Sequence, residues 1–141
     1  MQDVDLEFIF KNSKLSKKDI QRKFKDKNIF ITGGTGFIGK WLVATLQRLK
    51  EEVDGNLHLF LLTRDAKKFC TEFKSLSKDI HFIEGEIGDK STFKNLNIPF
   101  HYVFHFAGET ILNKHNLETY VELAVSGTNN LLKYVISEST N

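Results

Sequence analysis

The stretch that decides the fold of this chain is the octapeptide Thr32-Gly33-Gly34-Thr35-Gly36-Phe37-Ile38-Gly39. It follows an apolar run predicted as a strand and precedes a helical pattern, the context in which spaced glycines form a βα turn. We expect Gly33 to permit the tight turn, Gly36 to let main-chain N–H groups approach a ligand, and Gly39 to let the helix pack against the strand. The unpaired N–H groups and the dipole of a helix N-terminus suit a diphosphate. The octapeptide therefore predicts dinucleotide binding rather than a purely structural turn.

Composition limits the class of protein. A chain of 141 residues that is 40% apolar supports one domain with a real core. A net charge of +2, from 20 basic and 18 acidic side chains, gives no reason to expect a nucleic-acid partner. Cys70 is the only cysteine, which excludes an internal disulfide and fits a reducing compartment. No apolar run is long enough to span a bilayer, so we expect a cytoplasmic protein with no membrane partner.

Strands and helices alternate along the chain. Apolar runs predict strands over 28–32, 57–63, 80–83 and 101–106. Helical patterns follow the octapeptide to about residue 50, with Gly55 as a stop after it, and recur over 65–75, 91–96 and 116–137. The predicted buried stripes are Ile38, Leu42, Leu46 and Leu49 in the first helix, and Leu117, Tyr120, Val121, Ala124, Thr128, Leu131, Leu132 and Val135 in the last. This order predicts an α/β, Rossmann-like, doubly wound parallel sheet that ends after about four strands.

Residues 1–27 form a predicted helical extension before the first strand. An apolar stripe of Leu6, Ile9 and Phe10 is followed by a capping-box pattern at Ser16 and Asp19. Between residues 11 and 27 there are eight basic residues and two acids, which leaves two interpretations open. A basic arm for nucleic acid or membrane is one, and a helix that packs on the main domain through Ile20 and Phe24 is the other. The lack of interleaved aromatic residues favours the packed helix.

Four further stretches follow the octapeptide in a fixed order: Thr63-Arg64-Asp65, Gly85-Glu86-Ile87-Gly88-Asp89, Phe104-His105-Phe106-Ala107-Gly108 and Val125-Ser126-Gly127-Thr128 with Leu131-Leu132. Together the five stretches resemble the extended short-chain dehydrogenase/reductase superfamily, in particular its NAD-dependent epimerase/dehydratase family acting on nucleotide sugars. The resemblance covers about residues 28–141. It implies a Rossmann domain over those residues, a bound NADP or NAD, and a nucleotide-sugar substrate in the parent protein.

The resemblance also implies which residues contact the cofactor. The residues that it implies for the diphosphate are Thr32, Gly33, Gly34, Thr35, Gly36, Phe37, Ile38 and Gly39. Thr63 and Arg64 stand at the adenosine ribose, where the charge of Arg64 suits a 2′-phosphate and favours NADP over NAD. A small shift would instead bring the Asp65 carboxylate to the ribose, and both charges also suit a surface helix start. The adenine falls to Glu86 and Ile87, and the nicotinamide ribose to Phe106, Ala107 and Gly108.

Some polar side chains near these stretches have simpler interpretations. The interpretation of Glu86 as an ordinary loop carboxylate is almost as good as an adenine contact, and Asp89 is expected to cap a helix. We expect His105 to be a packed, hydrogen-bonded imidazole rather than a catalytic one. The other histidines lack metal-ligand spacing, so no metal is expected. Ala124 stands where the family has Asn, and the role of that Asn is not carried over.

Catalysis in the family uses Tyr-x-x-x-Lys, in which the Lys lowers the pKa of the Tyr. None of Tyr102, Tyr120 and Tyr134 has Lys four positions later, so no catalytic residue is assigned. We expect this chain to be the N-terminal, cofactor-binding piece of a nucleotide-sugar epimerase or dehydratase. The alternatives are a non-catalytic dinucleotide-binding module and a protein-interaction unit. The last would pair an exposed sheet edge beyond the first strand with another chain, and we expect a homo-oligomer.

Overall fold

The computed structural model of the protein describes Phe8, Lys11, Asn12 and residues 16–53, 56–94, 96–108 and 116–139. Strands and helices alternate through these residues as predicted. In chain order the elements are α1 (Lys17–Phe24), β1 (Lys27–Thr32), α2 (Phe37–Glu52), β2 (Leu57–Thr63), α3 (Ala66–Glu72), β3 (Ile80–Glu84), the 3-10 helix η1 (Lys90–Phe93), β4 (Tyr102–His105) and α4 (Leu117–Ser139). The segments predicted as helical over 65–75 and 91–96 are therefore shorter than expected.

All four strands are parallel and lie in the order β3-β2-β1-β4. Ile29 pairs with Leu59 on one side and with Tyr102 on the other. This topology confirms the Rossmann-like class. It corrects the expectation of an open edge beyond the first strand, because β1 lies inside the sheet and the edges are β3 and β4. The connection from β3 carries the chain back past β2 and β1 before β4 forms.

Helices cover both faces of the sheet, so it is doubly wound. Successive strand residues point to opposite faces, and β1 therefore contributes Ile29 and Ile31 to one core and Phe30 to the other. The first core lies under α1, α2 and α3 and includes Val43, Leu46, Leu49, Leu57, Leu59, Leu61 and Phe69. The second lies under η1 and α4 and includes Leu62, Phe93, Leu131 and Tyr134. Strand β2 is buried toward its carboxyl end but leaves His58 exposed.

Two predicted helix stripes were partly wrong. In α2 the buried residues are Gly39, Val43, Ala44, Leu46 and Leu49, whereas Ile38 is 64% exposed. Among the described side chains of α4, the buried residues are Gly127, Asn130, Leu131 and Tyr134, while Leu117, Val121, Ala124 and Leu132 are exposed. Apolar residues occur on more than one side of α4, so periodicity identified the helix without identifying the side that contacts the sheet.

Helix α1 packs on the sheet, in agreement with the packed-helix interpretation. Ser16 and Asp19 form the predicted capping box, with the Asp19 N–H donating to Ser16 Oγ at 3.2 Å. Ile20 is buried in the first core, and the Tyr102 hydroxyl donates to the Lys23 carbonyl at 3.0 Å. The predicted stripe of Leu6, Ile9 and Phe10 and the predicted stop at Gly55 lie outside the described residues.

Candidate functional site

The glycines of the octapeptide form a tight turn between β1 and α2. Gly33 has a φ of +70°, a conformation that favours glycine, and a Cβ there would collide with the Phe106 backbone. A Cβ at Gly39 would collide with the Gly33 carbonyl oxygen. The turn role of Gly33 and the packing role of Gly39 are therefore confirmed, although α2 meets the turn rather than the strand.

Among the helices described from residue 17 onward, α2 is the one whose N-terminus has no side-chain cap. The others have side-chain caps, namely Ser16 for α1, Asp65 for α3, Asp89 for η1 and Asn116 for α4. The N-cap of α2 is Gly36, which has no side-chain hydrogen bond, and the first turn holds no acidic residue. Residues 35–38 are exposed. The positive end of this helix dipole is thus left open to a ligand.

Exposed apolar side chains flank this helix end. Phe37 is 79% exposed and Ile38 is 64% exposed in the first turn of α2. Phe106, whose backbone contacts Gly33, is 44% exposed, and its ring stacks on Phe104 with 6.4 Å between centroids. Large exposed apolar side chains, both in the first turn of a helix and next to its preceding turn, are typical of a contact surface.

A partly buried polar network joins the octapeptide to the end of β4. Thr32 is fully buried, and its hydroxyl lies 2.6 Å from His105 Nδ1. The Ala107 N–H donates to Thr32 Oγ1 at 3.3 Å, and the Phe106 N–H donates to the Thr32 carbonyl at 3.0 Å. His105 Nε2 lies 3.1 Å from the Thr128 hydroxyl, and burial lowers the pKa of His105. The prediction of a packed, hydrogen-bonded His105 is confirmed.

At the end of β2, Thr63 is buried, and its hydroxyl accepts from the Asp65 N–H at 3.3 Å. The Asp65 carboxylate caps α3 by accepting from the Lys68 N–H at 2.7 Å, which confirms a helix-start role. Arg64 is exposed and makes no ion pair within the described part of the chain. Of these three residues, Arg64 has the side chain free to bind a ligand.

The loop after β3 is closed by Thr92, whose hydroxyl donates to the Glu86 carbonyl at 2.8 Å and accepts from the Glu86 N–H at 3.1 Å. The Glu86 side chain itself is exposed. Asp89 caps η1 as predicted, accepting from the Ser91 N–H at 2.8 Å. Hydrogen bonds from the Ser91 side chain and backbone lower the pKa of Asp89.

Sequence reasoning missed the residues of α4 that hold this loop in place. The Asn130 amide donates to the carbonyls of Gly88 at 2.9 Å and Ile87 at 3.3 Å. A Cβ on Gly127 would lie 3.0 Å from Ile87 Cγ2, so the helix packs tightly on that side chain. A buried Asn one turn after a Gly on the inward side of a helix was the available indication.

The four predicted site segments lie at the carboxyl ends of the four parallel strands. The octapeptide adjoins Phe106 and Ala107 at Gly33, and the Gly85 N–H donates to the Thr63 carbonyl at 3.0 Å. Open α/β sheets bind their ligands at the carboxyl ends of their strands. Glycine turn, parallel sheet and helices on both faces define the class of Rossmann-like α/β proteins.

The family follows from a comparison with family models. The model of the NAD dependent epimerase/dehydratase family matches residues 29–140, which is most of the chain. The chain belongs to that family.

The chain is also similar to a curated protein and to solved structures. A protein of Methanocaldococcus jannaschii, described as an uncharacterized membrane protein, is 32% identical over 123 residues, or 86% of this chain and 36% of that protein. The structure of Pen from Bacillus thuringiensis is 27% identical with a TM-score of 0.64, over 82% of this chain and 37% of that one. The ADP-L-glycero-D-manno-heptose-6-epimerase of Helicobacter pylori shares the fold at 24% identity and a TM-score of 0.62, over 81% and 37%. The chain spans little more than a third of the length of these proteins.

Within the part of the chain that the structure describes, no helix combines the length and the apolar character needed to cross a bilayer. Among the same residues, no group of three or more His, Cys, Asp or Glu side chains is arranged to hold a metal ion.

Proposed function

We propose that residues 28–141 bind a nicotinamide dinucleotide, with its diphosphate at the N-terminus of α2. The observation that carries this proposal is the uncapped start of α2, next to glycines where a side chain would fill the turn or collide with it. Main-chain N–H groups and a helix dipole replace the solvation of a diphosphate at such a position. The family supports the same class of cofactor, since it is described as NAD dependent.

In this proposal the adenosine half lies along the ends of β2 and β3. Arg64 binds a 2′-phosphate, which favours NADP over NAD, because its guanidinium is exposed and unpaired among the described side chains. Glu86 and the Ile87 backbone contact the adenine. Support comes from the Thr92 and Asn130 hydrogen bonds, which fix the backbone of Glu86 and of Ile87 respectively.

The nicotinamide ribose lies beside Phe106, Ala107 and Gly108. The N–H groups of Phe106 and Ala107 both donate to Thr32, so this segment is held against the glycine turn rather than free to rearrange. Among the described residues, a Cβ at Gly108 would meet no atom within 4 Å, which indicates open space between Gly108 and that part of the chain. The small residues leave room for a ribose.

We propose further that the whole protein is an epimerase or dehydratase acting on a nucleotide sugar. The bound nicotinamide would accept a hydride from the carbon of a sugar hydroxyl and return it. Residues of this chain bind and orient the cofactor. No described tyrosine has Lys four positions later, so none of them matches the catalytic base of the family. A non-catalytic dinucleotide-binding module is the second candidate, and the lack of this Tyr-x-x-x-Lys pair in the chain favours it.

The experiment is a fluorescence titration of the chain with NADH and with NADPH. Binding of either, weakened at least tenfold by Gly36→Val, supports the proposal. Thr71→Val is the control, because Thr71 is exposed on α3 and lies outside the residues proposed to contact the dinucleotide. Lack of binding to both cofactors would contradict the proposal, and binding without turnover on nucleotide sugars by the whole protein would favour the non-catalytic module.

We also propose that the protein is a homo-oligomer. Its interface would be the exposed side of α4, and not the sheet edge that was expected from the sequence. Leu117, Val121, Val125, Leu132 and Ile136 are each between 53% and 77% exposed. Their spacing along one helix suits packing against a second helix. Light scattering after size exclusion tests this proposal, and a monomer at high concentration would contradict it.

A further inference from the structure

The polar network at Thr32 continues through the interior into α4. The Thr128 hydroxyl donates to the Ala124 carbonyl one turn earlier, at 2.8 Å. Its oxygen also lies 3.1 Å from His105 Nε2, and the other nitrogen of the same ring lies 2.6 Å from the Thr32 hydroxyl. The imidazole therefore bridges the helix and the strand that leads into the octapeptide.

The donors and acceptors of this network fix one arrangement of protons. The Thr128 hydroxyl donates to the Ala124 carbonyl, so its oxygen can only accept a hydrogen bond from His105. The proton in the hydrogen bond between His105 and Thr128 is therefore carried by His105 Nε2. His105 Nδ1 is then bare and accepts the Thr32 hydroxyl hydrogen. The Thr32 oxygen in turn accepts from the Ala107 N–H. Every hydrogen bond from Ala107 to Ala124 points the same way.

We propose that His105, as the neutral Nε2–H tautomer, is a positioning residue that holds the Ala107 backbone in place for the dinucleotide through Thr32 and ties it to α4 through Thr128. This inference rests on the proposed function, because it assigns to the network the placement of the segment beside the nicotinamide ribose. The effect on the ligand is indirect, since the imidazole is bonded on both sides to threonines.

Burial supports the neutral form. Thr32 is fully buried, and desolvation by burial lowers the pKa of His105. A second proton on the ring would turn Nδ1 into a donor. The Thr32 hydroxyl hydrogen would then lose its acceptor, and the Thr32 oxygen would receive two donors at once. The network is complete only when His105 is uncharged.

The test uses Thr128, which lies outside the residues proposed to contact the dinucleotide. In Thr128→Val the bridge to α4 is lost while the shape of the side chain is kept, and Thr128→Ser restores the hydroxyl. We expect Thr128→Val to weaken the binding of whichever of NADPH and NADH the wild type prefers by about three- to tenfold, the effect of one lost hydrogen bond, and Thr128→Ser to bind like the wild type. Long-range 1H–15N spectra of the histidine rings, recorded on the wild-type chain at neutral pH, should show His105 protonated at Nε2 only.

The outcomes separate this inference from the proposed function. A wild-type chain that binds neither dinucleotide contradicts the proposed function. A wild-type chain that binds, with unchanged affinity in Thr128→Val and a lowered melting temperature, shows a purely structural network and overturns the inference. If Thr128→Val does not fold, the wild-type ring spectra decide, because an Nδ1–H tautomer or an imidazolium is incompatible with the proposed proton arrangement.

Discussion

Replacing Arg64 with Ala should discriminate between the two nicotinamide dinucleotides. Arg64 is exposed at the end of β2 and makes no ion pair with a described acidic residue, so its removal leaves no buried partner unpaired. A charge-assisted hydrogen bond to a phosphate contributes about 1.5–3 kcal/mol, and exposure to solvent places this one at the lower end. We therefore expect the Kd for NADPH to rise about tenfold and the Kd for NADH to change less than about twofold.

The assay is a fluorescence titration of each variant with both cofactors at fixed ionic strength. Lys67→Ala is the control, because Lys67 is also exposed and its loss changes the net charge equally. A general electrostatic effect would weaken NADPH binding in both variants. Equal loss of NADPH and NADH affinity in Arg64→Ala, or no loss of either, would refute the assignment of Arg64 to the 2′-phosphate.

Three further predictions concern stability. Gly39→Val should lower the free energy of unfolding by about 3 kcal/mol or more, because the valine side chain would collide with the Gly33 backbone. Gly108→Ala should change the free energy of unfolding by less than about 0.5 kcal/mol. Urea unfolding measures both values. Asn130→Ala should cost about 1–3 kcal/mol in the same assay, since the carbonyls of residues 87 and 88 lose a donor, and an unchanged midpoint would contradict this. Burial lowers the pKa of His105 below the ordinary value of 6.5, and burial together with the charge of Lys27 lowers the pKa of His101. The unfolded chain therefore binds more protons than the folded chain, so the free energy of unfolding should be highest above pH 6.5 and decrease as the pH falls below it. The variant His105→Gln should show a weaker pH dependence.

The parts of the fold that sequence predicted are those set by neighbouring residues. The octapeptide fixed its own turn because Gly33 and Gly39 meet within seven residues of each other. The caps at Ser16 and Asp89 each involve residues no more than three positions apart. His105 was predicted as packed because the resemblance to the family implies a structural role at that position, and a packed imidazole needs hydrogen-bond partners.

The parts that sequence did not predict depend on contacts between distant segments. The Thr128 hydroxyl reaches His105 across 23 positions, and Asn130 reaches Ile87 across 43. The position of β1 inside the sheet depends on where the chain returns after β3. The buried side of α4 is set by the strand and loop beneath it, so the helix pattern alone placed Leu117 and Val121 in the core when both are exposed.

The central claim is that the uncapped N-terminus of α2 binds the diphosphate of a dinucleotide. Backbone 1H–15N spectra recorded during titration with NADPH and with NADH test it most directly, since they report on the N–H groups themselves. We predict that the amide resonances of residues 34–38 shift the most and saturate at the concentration given by fluorescence. Large shifts elsewhere on the chain, with those five amides unchanged at saturation, would contradict the account.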